Sequence, residues 1–229
     1  YKESEYALNE EKLKPYFRLE NCIDAVFGLA TKLYGITFEP RMDIPVYHKD
    51  VKVYDVKDQD GRHLALFYAD FFPRPTKRGG AWMTEFRGQC IRNGVEERPF
   101  ISIVTNFTKP TGSTPSLITH DELTTLLHEF GHSLHGMLAE GRYPSLCGTN
   151  VARDFVELPS QIMENWAFEP EFLDNFAKDY KTGEVIPTEL VNKIVRAKNY
   201  LSGYYQVRQL DFGELDMAWH TLGTMTQDS

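Results

Sequence analysis

The chain has 229 residues, 41% of them hydrophobic and 25% charged, with a formal net charge of −8. These values are typical of one globular domain with a substantial core. The acidic balance argues against nucleic-acid binding, which needs a basic face, and no apolar run approaches the ~20 residues that cross a membrane. Three separated cysteines without a C-x-x-C pair predict neither a disulfide framework nor a cysteine metal site.

The first half of the chain is predicted to contain two helices and a small sheet. Apolar residues recur at helical spacing in residues 8–17 and 19–34. Alternating or continuously apolar segments predict strands at residues 44–56, 63–71 and 100–107. Asp60-Gly61 is a hairpin signal between the first two strands, and Gly79-Gly80 marks a loop that is either mobile or close to another backbone.

The second half is predicted to be helical. The predicted helices are residues 121–138, 160–168, 170–180, 188–200 and 201–222. Residues 140–151 form a loop between the first two and are placed to line a cleft, while residues 224–229 should fray. The expected fold class is therefore mainly α with a small β-sheet (α+β), in a single domain over residues 1–229.

Five residues on the first of these helices indicate a metal site: His128-Glu129-Phe130-Gly131-His132. Two histidines four residues apart point the same way on a helix, about one turn apart. That spacing suits one tetrahedral zinc ion, and the glutamate between them can act on a water at the metal. A chance match in an amphipathic helix is the alternative, so the surrounding sequence has to decide.

The surroundings favour a helix that is buried on one side. Its apolar residues follow a period of about 3.6; they are Leu123, Leu126, Leu127, Phe130, Leu134, Met137 and Leu138. Thr119 and Glu122 fit a capping box at its start. Gly131 inside a helix should cost about 1 kcal/mol relative to alanine, so we expect another segment to pack closely against it.

A catalytic zinc ion keeps three protein ligands and one open position, so a third ligand is needed. Glu157 is the candidate, because it lies far enough beyond His128 for a loop and a return on the helix predicted at residues 160–168. Asp154 and Glu164 are alternatives on charge alone.

Three other polar residues lie near these ligands. His135 is one further turn along the helix, but three histidines on one straight helix converge poorly on one ion, so we interpret it as a cleft-lining or a core residue. Gln161 or Glu164 can orient a ligating histidine. Ordinary surface polarity is the alternative for both.

Several ordered segments resemble the thimet oligopeptidase and peptidyl-dipeptidase family of zinc metallopeptidases. They are residues 16–21, 77–83, 106–110, 123–132, 154–161 and 164–166. Residues 143–146 and 148–153 are most similar to the bacterial peptidyl-dipeptidase branch. The resemblance implies a zincin-like metallopeptidase core in which His128, His132 and Glu157 bind one Zn²⁺ and Glu129 is the catalytic acid and base.

The implied function is zinc-dependent hydrolysis of short peptides with release of C-terminal dipeptides. An oligoendopeptidase of the same family is the alternative within this class, and a non-catalytic zinc-bound fragment or partner-binding module is the alternative outside it. Residues 103–106 are interpreted as an interior strand or as a strand that pairs with substrate. The basic run Arg74, Lys77 and Arg78 is interpreted as a solvated loop or as a contact for a substrate carboxylate.

The chain departs from the family at its ends. Members are typically several times longer, with a large helical region before the matching part and a His-x-x-Gly-Gly-Tyr-type stretch after it. That stretch is missing here, and Tyr204 and Tyr205 are given no catalytic role. We expect an internal catalytic-core fragment that binds zinc, is weak or inactive alone and can be completed by the missing segments. The separated cysteines make a reducing, cytoplasmic location the expectation, with the periplasm as the alternative. Residues 1–5 do not resemble a signal peptide, which says nothing about the targeting of a longer parent protein.

Overall fold

The structure, a computed structural model, describes residues 9–223 and has an α+β fold with a small mixed sheet. Helix α1 spans Glu10–Leu13 and continues as a 3₁₀ turn at Lys14–Tyr16, and α2 spans Leu19–Tyr34. The single helix predicted at residues 8–17 is thus divided, because Pro15 has no amide to extend the α-helical hydrogen bonds; residue 8 lies outside the described residues. The prediction for α2 is confirmed.

Seven strands follow: β1 Thr37–Pro40, β2 Lys52–Lys57, β3 His63–Asp70, β4 Trp82–Arg87, β5 Cys90–Arg92, β6 Val95–Glu97 and β7 Phe100–Val104. Within the described chain, the main sheet has the order β1-β2-β3-β7-β4, and β5 and β6 form a separate hairpin. β3 and β7 are parallel, and the other neighbours in the sheet are antiparallel. β7 is therefore an interior strand and β4 an edge strand.

The predicted strands are confirmed in part. β3 and β7 lie within predicted segments, and the predicted hairpin joins β2 to β3. The segment 44–56 becomes a strand only at Lys52, since Pro45 has no amide for a ladder and residues 41–51 are irregular. The sequence pattern does not predict β1, β4, β5 or β6, which are short and carry little apolar alternation.

The remaining α-helices of the described chain are α3 His120–Met137, α4 Leu158–Glu164, α5 Pro170–Phe176, α6 Thr188–Ala197 and α7 Ser202–His220. Short 3₁₀ helices lie at Pro144–Leu146 and Asn165–Phe168. Each predicted helix is confirmed, with ends that shift by a few residues. The fraying expected at residues 224–229 lies outside the described residues.

Helix α3 lies against the sheet, α2 and α4 in one hydrophobic core. The Phe130 ring of α3 packs edge-on to Phe67 of β3, with centroids 5.9 Å apart, and lies 6.0 Å from the ring of Phe27. A fully buried side chain of this size stabilises the fold by about 1.5–3 kcal/mol. The core therefore fixes how α3 is rotated, and this rotation leaves His128 and His132 at the surface of the core.

The three cysteines, Cys22, Cys90 and Cys147, are free and buried, which confirms that no disulfide framework is present. Burial raises the pKa of the Cys22 thiol, so this side chain stays protonated. A membrane span would need a longer and more apolar helix than any found in residues 9–223.

Candidate metal centre

The paired histidines lie on the side of α3 that faces Glu157, the residue before α4. The helix begins at the predicted capping box: the Glu122 amide donates to Thr119 Oγ1 and the Thr119 amide donates to the Glu122 carboxylate. The imidazole rings of His128 and His132 have centroids 4.9 Å apart and planes at 84°. A well-capped and well-packed helix therefore holds both rings side by side.

Gly131 lets α4 approach α3 closely. A Cβ at this position would lie 2.6 Å from the Pro159 carbonyl oxygen and 2.6 Å from the Ser160 Cα. No side chain fits there, so the two backbones are in contact, and the close packing predicted at Gly131 is confirmed. The contact brings Glu157, the residue before α4, next to both histidines.

The Glu157 carboxylate faces both imidazole rings. Its Oε2 lies 3.3 Å from His128 Nε2 and 3.1 Å from His132 Nε2. Ser160 Oγ donates to this same oxygen at 2.9 Å and so fixes the carboxylate. Ligands of a tetrahedral ion with bonds of about 2.0–2.1 Å are about 3.3–3.4 Å apart. The two carboxylate–imidazole distances are therefore close to the spacing of ligands on one metal ion, and the ligand atoms of all three side chains lie within 4.8 Å of one another. They form the only such His, Cys, Asp and Glu group in residues 9–223.

His128 and His132 differ in the hydrogen-bond partner of their Nδ1 atoms. His128 Nδ1 lies 2.6 Å from Glu164 Oε1, so it donates to this carboxylate and leaves Nε2 free to bind a metal. Gln161, the other residue considered for this role, is exposed and makes no such contact in the described chain. His132 Nδ1 is buried and lacks a hydrogen-bond partner among the described residues. Burial lowers the pKa of His132, which favours the neutral, metal-binding form.

Glu129 lies in the same cavity as the three converging side chains and is only 7% exposed. Burial raises the pKa of its carboxyl above the usual range, and the Glu157 charge acts in the same direction. His128 and a hydrogen bond from the Met83 backbone oppose this shift. A carboxylate whose pKa lies closer to neutral pH is a better general base than a solvated one.

A cavity of about 390 Å³ lies over these residues. Its walls come from β4 and from the loop between α3 and α4; they are Ala81, Trp82, Met83, Thr149 and Val156. The loop was expected to line a cleft, and at Thr149 it does. β4 is the part that the sequence pattern misses; the glycines at 79 and 80 mark its start, but the pattern does not predict a strand after them.

For Ile103 and Val104, which belong to β7, the interior-strand interpretation is confirmed and the substrate-pairing interpretation is wrong. Ile103 is paired with Ala69 on one side and with Met83 on the other, so both edges of β7 are occupied. Within the described residues the sheet ends at β1 and at β4, and of these two edge strands β4 is the one that lines the cavity over Glu129.

Neither Asp154 nor His135 belongs to the converging group. His135 instead lines a second, apolar cavity of about 490 Å³ with Leu134 and Ile162, on the far side of the α3–α4 contact. This second cavity is larger than the one over Glu129 but contains no converging metal ligands, so we take the smaller one as the functional site.

Arg74 and Lys77 of the basic run are held by an internal carboxylate and are not free for a substrate, whereas Arg78 is exposed, so both interpretations stay predictions for it. Arg74 binds both oxygens of the Asp70 carboxylate at 2.9 Å, and Lys77 Nζ lies 2.9 Å from one of them. Asp70 and the Lys77 side chain are almost completely buried. Burial alone would raise the pKa of the Asp70 carboxyl, but the two cations hold it below its usual range. Arg78 lies over the Trp82 ring, 5.1 Å from its centroid.

The sequence profile described as Peptidase family M3 matches residues 1–228. The chain belongs to peptidase family M3. The dipeptidyl carboxypeptidase of Salmonella typhimurium is 48% identical to this M3 chain over 218 residues, which are 95% of the chain and 32% of that protein. Oligopeptidase A of Escherichia coli is 41% identical over 217 residues, 94% of the chain and 32% of the relative.

A plant relative also matches nearly the whole chain. Organellar oligopeptidase A of Arabidopsis thaliana is 42% identical over 227 residues, 96% of this M3 chain and 29% of the relative. The chain thus spans about a third of the length of these curated relatives. The predicted family is confirmed.

Proposed function

We propose that this M3 chain is the catalytic core of a zinc-dependent peptidase that acts on short peptides. The observation that carries the proposal is the convergence of His128, His132 and Glu157, with Glu129 in the same cavity. Two imidazoles and one carboxylate suit zinc, and three protein ligands leave a fourth position open, as in catalytic sites. A metal-binding helix packed against a twisted sheet also supports a zincin-like core.

In the proposed mechanism, each side chain has one task. A bound zinc ion would supply a Lewis acid that polarises the peptide carbonyl and makes water more acidic. His128, His132 and Glu157 would hold the ion, and Glu164 keeps His128 in the tautomer that presents Nε2. Glu129 takes a proton from the attacking water and then gives it to the nitrogen of the leaving amine.

The edge of β4 supports binding of an extended peptide. Within residues 9–223, β4 pairs with β7 on one side only, so its outer edge has no strand partner there and can pair with an extended peptide. Its first residues, Trp82 and Met83, line the cavity that contains Glu129. A peptide that adds to this edge would pass over the metal ligands in a defined register.

We further propose that the products are C-terminal dipeptides. The support is the 48% identity to a protein named dipeptidyl carboxypeptidase. Cleavage inside short peptides is the alternative, supported by the 41% identity to oligopeptidase A.

We also propose that the chain is the catalytic-core part of a longer enzyme. It spans about a third of its relatives, and no side chain of α7 is buried. The large apolar side chains exposed on α7 are Tyr204, Tyr205, Val207, Leu210, Phe212, Leu215, Met217 and Trp219. The segments that complete the enzyme would cover α7 and hold the substrate, so the chain alone should bind zinc but cleave weakly.

The test uses the zinc-loaded full-length enzyme and two peptides that differ only in a free or an amidated C-terminus. We expect release of a dipeptide from the free form and sparing of the amidated one. Glu129→Gln should reduce cleavage by about 10²–10⁴-fold with zinc uptake unchanged, whereas Asp121→Asn on the same helix should change neither.

Each alternative has a distinct result. Equal cleavage of both peptides would favour the oligoendopeptidase. A fourth protein ligand on the zinc ion, with no cleavage of either peptide, would favour the non-catalytic fragment. Unchanged hydrolysis by Glu129→Gln would overturn the proposed mechanism.

A further inference from the structure

The carboxylate of Glu85, on β4, holds the loop between α3 and α4. Glu85 Oε1 accepts hydrogen bonds from both the backbone amide and the hydroxyl of Thr149, each at 3.2 Å. One oxygen thus receives two donors from a single loop residue. Two hydrogen bonds to a charged acceptor are stronger than two between neutral groups, so this contact fixes the position of Thr149 relative to β4.

The surrounding backbone makes room for this carboxylate. A Cβ at Gly148 would lie 2.4 Å from Glu85 Oε1, and Gly148 has φ +60°, which disfavours any side chain. A Cβ at Gly136, near the end of α3, would lie 3.1 Å from the same oxygen, and one at Gly88 would lie 3.1 Å from Oε2. Glycines from three different segments therefore surround one side chain, which makes Glu85 the meeting point of β4, α3 and the loop.

The contact joins the two walls of the catalytic cavity. Met83 lies two residues before Glu85 on β4 and lines one wall, and Thr149 lines the other. Because residues two apart on a strand share a face, a hydrogen bond at Glu85 sets the separation of the two walls at Met83. None of the three metal ligands takes part in this contact.

We propose that Glu85 is a positioning residue for the peptide substrate, which fixes the loop at Thr149 opposite the edge of β4 and so sets the width of the cleft. It does not touch the reacting atoms. The inference rests on the proposed peptidase function and adds the residue that shapes its substrate channel. A cleft of fixed width lowers the cost of ordering a bound peptide, so its loss weakens peptide binding.

The experiment compares Glu85→Ala, which removes the acceptor, with Glu85→Gln, which keeps an Oε1 acceptor. Amide hydrogen exchange at Thr149 should rise about tenfold or more in Glu85→Ala and stay within about threefold of the parent in Glu85→Gln. Peptide Kd, measured in a Glu129→Gln background of the zinc-loaded protein, should rise about five- to tenfold in Glu85→Ala and recover in Glu85→Gln. Zinc affinity should be unchanged in both.

A second pair of variants keeps the inference testable if Glu85→Ala does not fold. Thr149→Val removes the hydroxyl donor and keeps the shape, whereas Thr149→Ser keeps both donors. We expect weaker peptide binding from the valine variant and parent-like binding from the serine variant.

Three outcomes would overturn the inference. The first is an amide exchange rate at Thr149 that Glu85→Ala leaves unchanged, and the second is a Glu85→Gln variant that binds peptide as weakly as Glu85→Ala does. The third is a peptide Kd that Glu85→Ala leaves unchanged, where the parent protein binds and cleaves peptides. If the parent binds no peptide at all, the proposed function and this inference fall together. If the parent binds peptides without cleaving them, only the proposed peptidase function is contradicted, because the peptide Kd of the variants can still be compared with that of the parent.

Discussion

Helices α3 and α7 are the two longest in the second half of the described chain, and they use their apolar residues in opposite ways. α3 buries six large apolar residues against the sheet and its neighbouring helices; they are Leu123, Leu126, Leu127, Phe130, Leu134 and Met137. α7 carries a similar number and buries none. In α3 the apolar residues form one stripe, whereas in α7 they point in several directions around the helix.

The difference distinguishes the part of the structure that this chain packs by itself, at α3, from the part that other segments are proposed to cover, at α7. The packing that orients His128 and His132 is internal, so the metal centre should form in the chain alone. Helix α7, apolar on more than one side and exposed along its length, is the surface that the further segments proposed above would cover. Matched substitutions in the two helices test this division.

Leucine truncation should give the largest contrast. Leu127→Ala in α3 removes a side chain with 0% exposure and should destabilise the chain by about 2–5 kcal/mol. Leu210→Ala in α7 removes a side chain with 58% exposure and should change stability by less than about 0.5 kcal/mol. Urea unfolding of both variants measures the contrast; equal losses would mean that α7 is packed within this chain.

Glycine-to-alanine substitution should lower the stability of the chain at Gly131 in α3 and raise it at Gly213 in α7. Gly131→Ala places a methyl group 2.6 Å from the backbone of α4, so overpacking should cost about 1–3 kcal/mol and weaken zinc binding by moving Glu157. Gly213→Ala in α7 meets nothing within 4 Å and should stabilise the helix by about 0.5–1 kcal/mol. Thermal unfolding and zinc titration check both; a neutral Gly131→Ala would contradict the backbone contact between α3 and α4.

The smallest effect on stability is expected from a substitution that changes only the affinity for zinc. Glu164→Gln removes the carboxylate that holds His128 Nδ1 and should weaken zinc affinity by about 10–100-fold with little change in stability. Glu214→Gln on α7 removes one negative charge far from any ligand and serves as the control. Competition with a chelator measures the affinities, and equal behaviour of the two variants would exclude a role for Glu164 behind His128.

Local spacing explains why much of the site could be predicted from the sequence. His128 and His132 are four residues apart, so a helix places them together whatever surrounds it, and the capping box and the glycine at 131 are also local signals. Its distance from His128 made Glu157 a candidate third ligand, and the family resemblance implied the same residue. Its choice over Asp154 depends on how closely α4 approaches α3, which only the packed structure reveals.

Long-range contacts explain what the sequence pattern missed. β4 is defined by pairing with β7, and its residues carry no strong alternation of their own. The ion pair between Asp70 and Lys77 comes from a turn that folds back on the end of β3, so a run of basic residues looked solvated when one of them is almost fully buried. No local pattern marks Glu85, because its partner Thr149 is distant in the sequence.

X-ray absorption spectroscopy of the zinc-loaded chain tests the central claim most directly. The account predicts one zinc ion per chain with two imidazole nitrogens, one carboxylate oxygen and one water at about 2.0–2.1 Å, and one imidazole fewer in His132→Ala. A site with four protein ligands, a thiolate at about 2.3 Å, or a spectrum unchanged by His132→Ala would contradict it.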